Sequence, residues 1–269
     1  MPEESGAQAA VVDTAVTAYV LRLGDDALIA SHRLAELVAR APQLEEDVAL
    51  ANISLDLLGQ ARALLGYAGR TEEQLTGVLR TEDDLAYLRA ENQFVNCRLV
   101  ELPNTDFAHT TARQLLFSGY AFELYSALTH STDETIAGIA GKAVKELSYH
   151  RDHAARWTIQ LGDGTDESAR RMAAALEAAW PYVDELFAAD DVTRTVAGAG
   201  VGADPARLRP AWDAFVDGVL EPAGLERPEV PPITGLAGKS GRDGVHSEAF
   251  GFLVAEMQHL HRSHPGASW

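Results

Sequence analysis

The chain has 269 residues, of which 46% are hydrophobic, and its 40 acidic and 22 basic residues give a formal net charge of −18. This length suits one large domain or two small ones, and the apolar content supplies a substantial core. The acidic balance argues against partners such as nucleic acid or an anionic membrane. The single cysteine, Cys97, excludes an intrachain disulfide. Because residues 1–8 lack a signal-peptide pattern and no stretch is apolar enough to span a membrane, we expect a cytoplasmic protein.

Helical periodicity, with apolar residues at i, i+3, i+4 and i+7, runs through most of the chain. It predicts helices near residues 14–40, 44–68, 81–101, 105–129, 133–161, 166–188, 205–220 and 245–264. Thr81 followed by three acidic residues is a typical helix start. Residues 221–232 are rich in proline, and residues 235–244 form a glycine-rich basic stretch, for which we expect a flexible surface loop.

The order of these elements predicts an all-α fold, a ferritin-like four-helix bundle with additional packing helices. The segments near 14–40, 44–68, 105–129 and 133–161 form the core as two hairpins, joined by a crossover that contains the 81–101 helix. We expect a single domain over residues 1–269. Within it, residues 1–10 should be poorly ordered, and residues 190–269 should be a C-terminal extension that packs on the bundle.

The two hairpins carry polar residues at positions where a di-iron protein has its ligands. Such a site takes a Glu from each of two helices and a Glu-x-x-His motif from each of the other two. Asp26 and Asp56 are 30 residues apart, and Ser118 and Glu146 are 28 apart, so each pair lies at similar depth in an antiparallel hairpin. The histidine positions hold other residues, and position 118 has no carboxylate. The vestigial positions are Asp26, Asp56, Gly59, Ser118, Glu146 and Tyr149.

This pattern predicts inward-facing acids without a metal. Buried carboxylates need compensation, and the candidate polar partners are Asn52, Gln60, Gln114 and Tyr149. His150 follows the ligand position by one residue, which turns it about 100° away around the helix. Three other acid-x-x-His pairs, at Asp106, Asp243 and Glu256, are not informative, because about one such pair is expected by chance, and Asp106 is better explained as a helix cap.

Several ordered segments resemble the PaaC family, the structural subunits of multicomponent phenylacetyl-CoA epoxidases. The segments are Leu23–Leu28, Leu50–Arg62, Arg89–Phe94, Glu101–Asn104, Ala112–Gln114, Lys142–Glu146, Tyr149–His150, Gly162–Asp166 and Leu253–Gln258. They run from about residue 20 to the end of the chain, and their length and order make the resemblance more specific than any short motif.

The resemblance implies a ferritin-like subunit with no catalytic, cofactor-binding or metal-binding residues of its own. It implies a partner, the catalytic subunit PaaA, that carries the di-iron centre, together with PaaB and the reductase PaaE. The complex would epoxidise the aromatic ring of phenylacetyl-CoA with dioxygen and electrons from PaaE. We also expect that the isolated chain can self-associate as a homodimer. Two other functions stay open: a di-iron carboxylate oxygenase with unusual ligands, and a stand-alone helical binding protein.

Overall fold

The computed structural model describes residues 2–233 and 238–267, with side chains from residue 10 onward, and these ranges are helical with no β-strand. The α-helices are α1 (Pro2–Ala35), α2 (Leu44–Thr76), α3 (Phe107–Leu128), α4 (Glu134–Gly162), α5 (Asp166–Ala179), α6 (Asp184–Phe187), α7 (Asp191–Gly198), α8 (Pro205–Leu220) and α9 (Glu248–Ser263). The predicted all-α, ferritin-like architecture is confirmed. Met1 and Trp269 lie outside the described residues, and the expected poor order of residues 1–10 stays a prediction.

Four long helices form the core as two antiparallel hairpins, α1 with α2 and α3 with α4, and α2 also packs on α4. Side chains cap the second pair: Asp106 accepts the backbone N–H of His109 at the start of α3, and Asp133 does the same for Thr135 and Ile136 in α4. Asp106 is therefore a helix cap, as its sequence context indicated.

The outer helices cover the second hairpin and one side of α1. Helix α5 packs on α3 and α4, α8 packs on α3, and α7 packs on α1. Trp212 of α8 is fully buried and donates its indole N–H to the carbonyl of Leu116 at 3.0 Å. The helix predicted near 166–188 ends at Ala179. Pro181, which has no N–H to donate, lies in the 3₁₀ turn that follows.

The crossover between α2 and α3 is not the continuous helix predicted for 81–101. It consists of one π-helical turn (Asp84–Leu88) and two 3₁₀ turns (Glu91–Gln93 and Arg98–Glu101), separated by extended backbone. The backbone N–H groups of Val95 and Cys97 donate to Asp25 and Asp26 of α1. Hydrogen bonds to carboxylates on another helix thus replace the bonds that a local helix would make.

Residues 240–244 also differ from the expected flexible surface loop. Ser240 caps a 3₁₀ turn (Gly241–Asp243), and Gly244 closes it with φ of 74°. Gly241 is buried so closely against the crossover that a Cβ atom there would lie 2.3 Å from the carbonyl oxygen of Asn96. Residues 235–237 of the predicted loop lie outside the described residues. Residues 240–244 form a turn that packs tightly against the crossover, and this turn places the Arg242 side chain inside the protein.

Candidate functional site

A small cavity lies inside the bundle where the hairpins face one another. Its volume is about 10 Å³, enough for about one water molecule. Its polar lining comes from Asp26 of α1, Gln60 of α2, and Tyr120 and Tyr125 of α3, and the remainder is apolar. Asp26 is the only one of the predicted ligand positions that lines this cavity.

Arg242 holds the Asp26 carboxylate from the C-terminal turn. The guanidinium donates from Nη1 to Oδ1 at 2.9 Å and from Nη2 to Oδ2 at 2.7 Å. The backbone N–H of Cys97 donates to Oδ1 at 2.7 Å. Both oxygens of Asp26 are therefore engaged, in the bidentate geometry that makes arginine–carboxylate pairs strong. Arg242 also donates to the carbonyl of Val95 at 3.0 Å, so it ties α1, the crossover and the C-terminal segment together.

The groups around this pair favour the ionised form of Arg242. Burial alone would lower the pKa of Arg242, but the charge of Asp26 outweighs it and raises that pKa well above its ordinary value. Burial raises the pKa of Asp26, and Arg242 and the Cys97 amide counter that rise. Three donors converge on the two Asp26 oxygens, which requires both oxygens to act as acceptors. The geometry therefore describes a buried ion pair.

The phenols and the thiol beside the pair stay neutral near pH 7. Burial raises the pKa of Tyr19 to about 12 and raises the pKa values of Tyr120 and Tyr125 above their ordinary value as well. Burial also raises the pKa of the Cys97 thiol well above its ordinary value. No neutral thiol or phenol can balance the charge of Asp26, and Arg242 takes that role.

A second buried acid, Asp25, lies next to Asp26, and the sequence analysis did not identify it as a candidate. Its side chain is fully buried and forms an ion pair with Arg89, and it accepts the backbone N–H of Val95 at 2.9 Å. Arg89 also lies over the ring of Phe94, with its Cζ atom 4.1 Å from the ring centroid. The consecutive acids thus each bind one arginine and one backbone N–H of the crossover. An Asp-Asp pair amid apolar residues of α1 was the signal in the sequence.

Glu101 is a third buried acid that sequence reasoning missed. His246 Nδ1 lies 2.5 Å from Glu101 Oε1, and Ser247 donates both its backbone N–H and its hydroxyl to Oε2 at 2.8 and 2.7 Å. Asn96 donates to Oε1 at 3.0 Å. The Asp243-x-x-His246 pair noted in the sequence therefore does not act as a pair, because its histidine binds Glu101 of the crossover.

Asp56 and Glu146 lie along the seam between α2 and α4, outside the cavity lining. His150 Nε2 is 3.0 Å from Asp56 Oδ2, and Gln60 donates to Glu146 Oε2 at 2.9 Å. The Asp56 side chain keeps 37% of its exposure. These acids bridge two helices, and Gln60 is the one candidate partner that has the predicted role.

The predicted inward positions of α4 and α2 are wrong by one residue at two places. Tyr149 is exposed and His150 is buried, because the buried positions of α4 repeat through residues 136, 140, 143, 147, 150 and 154. Gly59 of α2 is likewise exposed, and Gln60 is buried. Asn52, a candidate network residue, is also exposed.

Ser118 is buried, but the α3 side chains that line the cavity are Phe117, Tyr120, Ala121, Leu124 and Tyr125. Its hydroxyl has no hydrogen-bond partner among the described residues. Gln114 lies apart from Asp26 and lines another small cavity, which it shares with His153. Position 118 therefore adds no donor to the cavity beside Asp26.

The residues around the cavity do not fit a di-iron centre. They offer one carboxylate, Asp26, and its oxygens are already bound by Arg242 and Cys97. A two-metal site needs room for ions about 3.5–4 Å apart, whereas this cavity holds about one water molecule. Within the described residues, no group of three or more His, Cys, Asp or Glu side chains is placed to hold a metal ion.

A larger cleft of about 390 Å³ opens to solvent beside Arg242, between α1, α6 and the C-terminal turn. The arginines that line it are engaged within the protein. Arg22 pairs with Asp190 at 2.7 Å, and Arg98 pairs with Glu185 at 3.1 Å. Among the described residues that line the cleft, each arginine is therefore paired within the protein, and Lys239 is the other basic residue of the lining.

These features define a class of protein: a ferritin-like helical bundle in which an arginine compensates the acid at the bundle centre. The chain belongs to the family of phenylacetic acid catabolic proteins (PaaA_PaaC), whose model matches residues 1–269. It is 44% identical over 254 residues to a subunit of the 1,2-phenylacetyl-CoA epoxidase of Escherichia coli (strain K12). That alignment covers 94% of this chain and 99% of the relative, and it confirms the resemblance found in the sequence.

Proposed function

We propose that this chain is the non-catalytic structural subunit of a phenylacetyl-CoA epoxidase complex. In this role it supports the di-iron catalytic subunit during ring epoxidation in aerobic phenylacetate degradation. The observation that carries the proposal is the capture of Asp26 by Arg242 in a chain that aligns over nearly its whole length with one subunit of such an epoxidase.

The donor set supports a role without oxygen chemistry. Activation of dioxygen needs the redox chemistry of a cofactor, which ordinary side chains do not supply. At the bundle centre the oxygens of the single carboxylate, Asp26, are bound by Arg242. The other polar groups that line the cavity are the amide of Gln60 and the neutral phenols of two tyrosines. This arrangement disfavours the alternative of a di-iron oxygenase with unusual ligands.

The partners follow from the same proposal. The catalytic subunit PaaA carries the di-iron centre, and PaaB and the reductase PaaE complete the complex. We expect the contact with PaaA to bury more than about 1,000 Å², the scale of a specific interface. We also propose a cytoplasmic location. The sequence expectation that no stretch could span a membrane needs one correction: among the described residues, α2 alone is long and apolar enough by length and composition. However, 44% of its most apolar window is buried, and it is a core helix of the bundle.

Iron analysis of the purified chain tests the proposal. The chain is expressed in iron-rich medium alone and together with PaaA, and iron is measured per polypeptide. We expect background iron in the isolated chain, a stable complex with PaaA, and iron in proportion to PaaA. Stoichiometric iron in the isolated chain would establish the di-iron alternative. Failure to form a complex with PaaA would favour a stand-alone binding protein.

A further inference from the structure

The outer side of α2 carries apolar side chains that the chain leaves uncovered. Leu44 is 74% exposed, Leu55 is 62% exposed, and Val48 lies between them on the same side of the helix. Gly59 and Ala63 continue this stripe at helical spacing, and both are exposed. Glu45, Asn52 and Arg62 are the polar residues exposed beside it. Apolar surface gathered along one helix of a water-soluble bundle is typical of a contact site.

The outer side of α4 is basic, in contrast to the chain as a whole. Its exposed residues between 138 and 156 are Gly138, Lys142, Lys145, Tyr149, Asp152 and Arg156. They carry three positive charges and one negative charge, although the chain has a formal net charge of −18. Two of the three lysines of the sequence lie here, and Tyr149 adds an exposed aromatic ring.

The two stripes flank one seam and form a continuous surface. Gln60 of α2 donates to Glu146 of α4 at 2.9 Å, and Lys142 Nζ lies 3.4 Å from the other oxygen of Glu146. A second contact between the two helices, from His150 to Asp56, lies about two turns further along α4 than Lys142. We name this surface the α2–α4 face, meaning the exposed stripes of α2 from residue 44 to 63 and of α4 from residue 138 to 156.

The small residues on the face indicate that its occupant is a helix. A Cβ atom at Gly59 or Gly138 would meet no side chain, and no backbone beyond the adjacent turns of its own helix, within 4 Å. Packing inside the chain therefore does not require glycine at these positions, and glycine weakens a helix interior. Small residues on a helix surface let a second helix approach closely, because the interaxial distance depends on the side chains at the contact.

The charges of the face indicate a different chain and not a second copy. In a two-fold symmetric dimer the same patch meets itself, so the net positive charge of the exposed α4 stripe would meet an equal positive charge. Like charges brought together across an interface suppress that pairing, and opposite charges favour association. The fitting occupant has an apolar helix face with an acidic rim.

We propose that the α2–α4 face docks an apolar, acid-rimmed helix of a different helical chain. The assignment rests on the proposed function, in which that chain is the catalytic subunit PaaA. The apolar stripe of α2 packs against the partner helix at Gly59. The lysines of α4 pair with acids at the edge of the contact and speed association.

The test uses two matched glycine substitutions in the full-length chain. Gly59→Arg places a long side chain on the face, and Gly218→Arg places one on α8. Both glycines are exposed in helices, and a Cβ at either position meets nothing within 4 Å. Both variants should fold with at least wild-type thermal stability, because arginine is a better helix former than glycine. Binding to purified PaaA is then measured by titration calorimetry.

We expect Gly59→Arg to weaken binding to PaaA by about tenfold or more, because a loss of this size is typical of the centre of an interface. Gly218→Arg should change the affinity by less than about twofold. In parallel, Lys142→Glu with Lys145→Glu should slow association with PaaA, whereas Lys239→Glu, at an exposed lysine elsewhere, should not.

The outcomes separate this inference from the proposed function. If Gly59→Arg and Gly218→Arg both bind PaaA as tightly as the wild-type chain does, the α2–α4 face is not the docking site. The proposed function is unaffected by that result. Absence of binding by the wild-type chain would overturn both. Loss of self-association in Gly59→Arg with unchanged PaaA binding would show that a second copy occupies the face, which contradicts the proposal.

Discussion

At the residue scale, the Asp26–Arg242 pair decides what the bundle centre can do. A buried pair of this kind gains little over apolar residues of the same shape, but removing one partner leaves an uncompensated charge inside the protein. The pair therefore fixes the arrangement of α1, the crossover and the C-terminal turn, since Arg242 bonds to both Asp26 and Val95.

Removal of the arginine charge should destabilise the fold strongly. We expect Arg242→Met to lower the free energy of unfolding by about 3–5 kcal/mol, because Asp26 stays buried without its partner. Arg207→Met is the control, since Arg207 forms an ion pair with Asp204 on the surface, where such pairs contribute about 0–1 kcal/mol. Urea denaturation measures both values, and equal losses in the two variants would contradict the account.

His150 should make the stability depend on pH. Burial lowers its pKa below the ordinary value of 6.5, partly opposed by Asp56. Below about pH 6.5 the unfolded chain therefore binds more protons than the folded chain, and stability falls as pH decreases. We expect the loss of unfolding free energy between pH 7.5 and pH 5.5 to be smaller in His150→Gln than in the wild type.

The control for this measurement is His130→Gln, because His130 is exposed. It should reproduce the wild-type decrease between the two pH values. If His150→Gln shows that same decrease, burial of the neutral imidazole does not contribute to the pH dependence of stability.

The sequence could predict that Asp26 is a buried acid that needs compensation, but it could not predict which residue compensates it. An acid among apolar residues of a helix needs compensation, and that argument is local. Arg242 is 216 residues away and lies in a glycine-rich stretch that favours a surface loop. The error at Tyr149 has a different source. A spacing borrowed from ligand motifs fixed the register, whereas the apolar positions of α4 place His150 inside.

At the element scale, two irregular segments, the crossover and residues 240–244, are held to α1 through its buried acids. The crossover predicted as a helix over 81–101 is broken because Asp25 and Asp26 bind its backbone N–H groups. Helical periodicity predicted the long helices well, since their apolar stripes encode burial directly. It could not predict hydrogen bonds between distant segments, which decide the conformation of the crossover and of residues 240–244.

Gly241 should be intolerant of a side chain. A Cβ atom would lie 2.3 Å from the carbonyl oxygen of Asn96, so Gly241→Ala must push the turn away from the crossover. We expect a loss of about 1–3 kcal/mol in unfolding free energy, as for overpacking in a core. Gly218→Ala, in open space on α8, should instead stabilise by up to about 1 kcal/mol. Chemical denaturation measures the free energy of unfolding of both variants. If both are more stable than the wild type, Gly241 is not packed closely against the crossover.

At the scale of the whole molecule, the chain combines an intact bundle with a centre whose single carboxylate, Asp26, is bound by an arginine. Its surface is acidic overall, but the α2–α4 face is apolar and basic. Under the proposed function, the chain contributes to an oxidation by binding and stabilising a partner that holds the cofactor. Its effect is then measurable only in the presence of that partner.

Reconstituted activity tests the structural role most directly. Epoxide formation from phenylacetyl-CoA is measured with reductase and dioxygen for this chain alone, for PaaA alone, and for the two together at equal concentration. We expect no epoxide from this chain alone, and full activity and stability of PaaA only when this chain is present. Epoxide formed by this chain alone would contradict it, as would full activity and stability of PaaA in its absence.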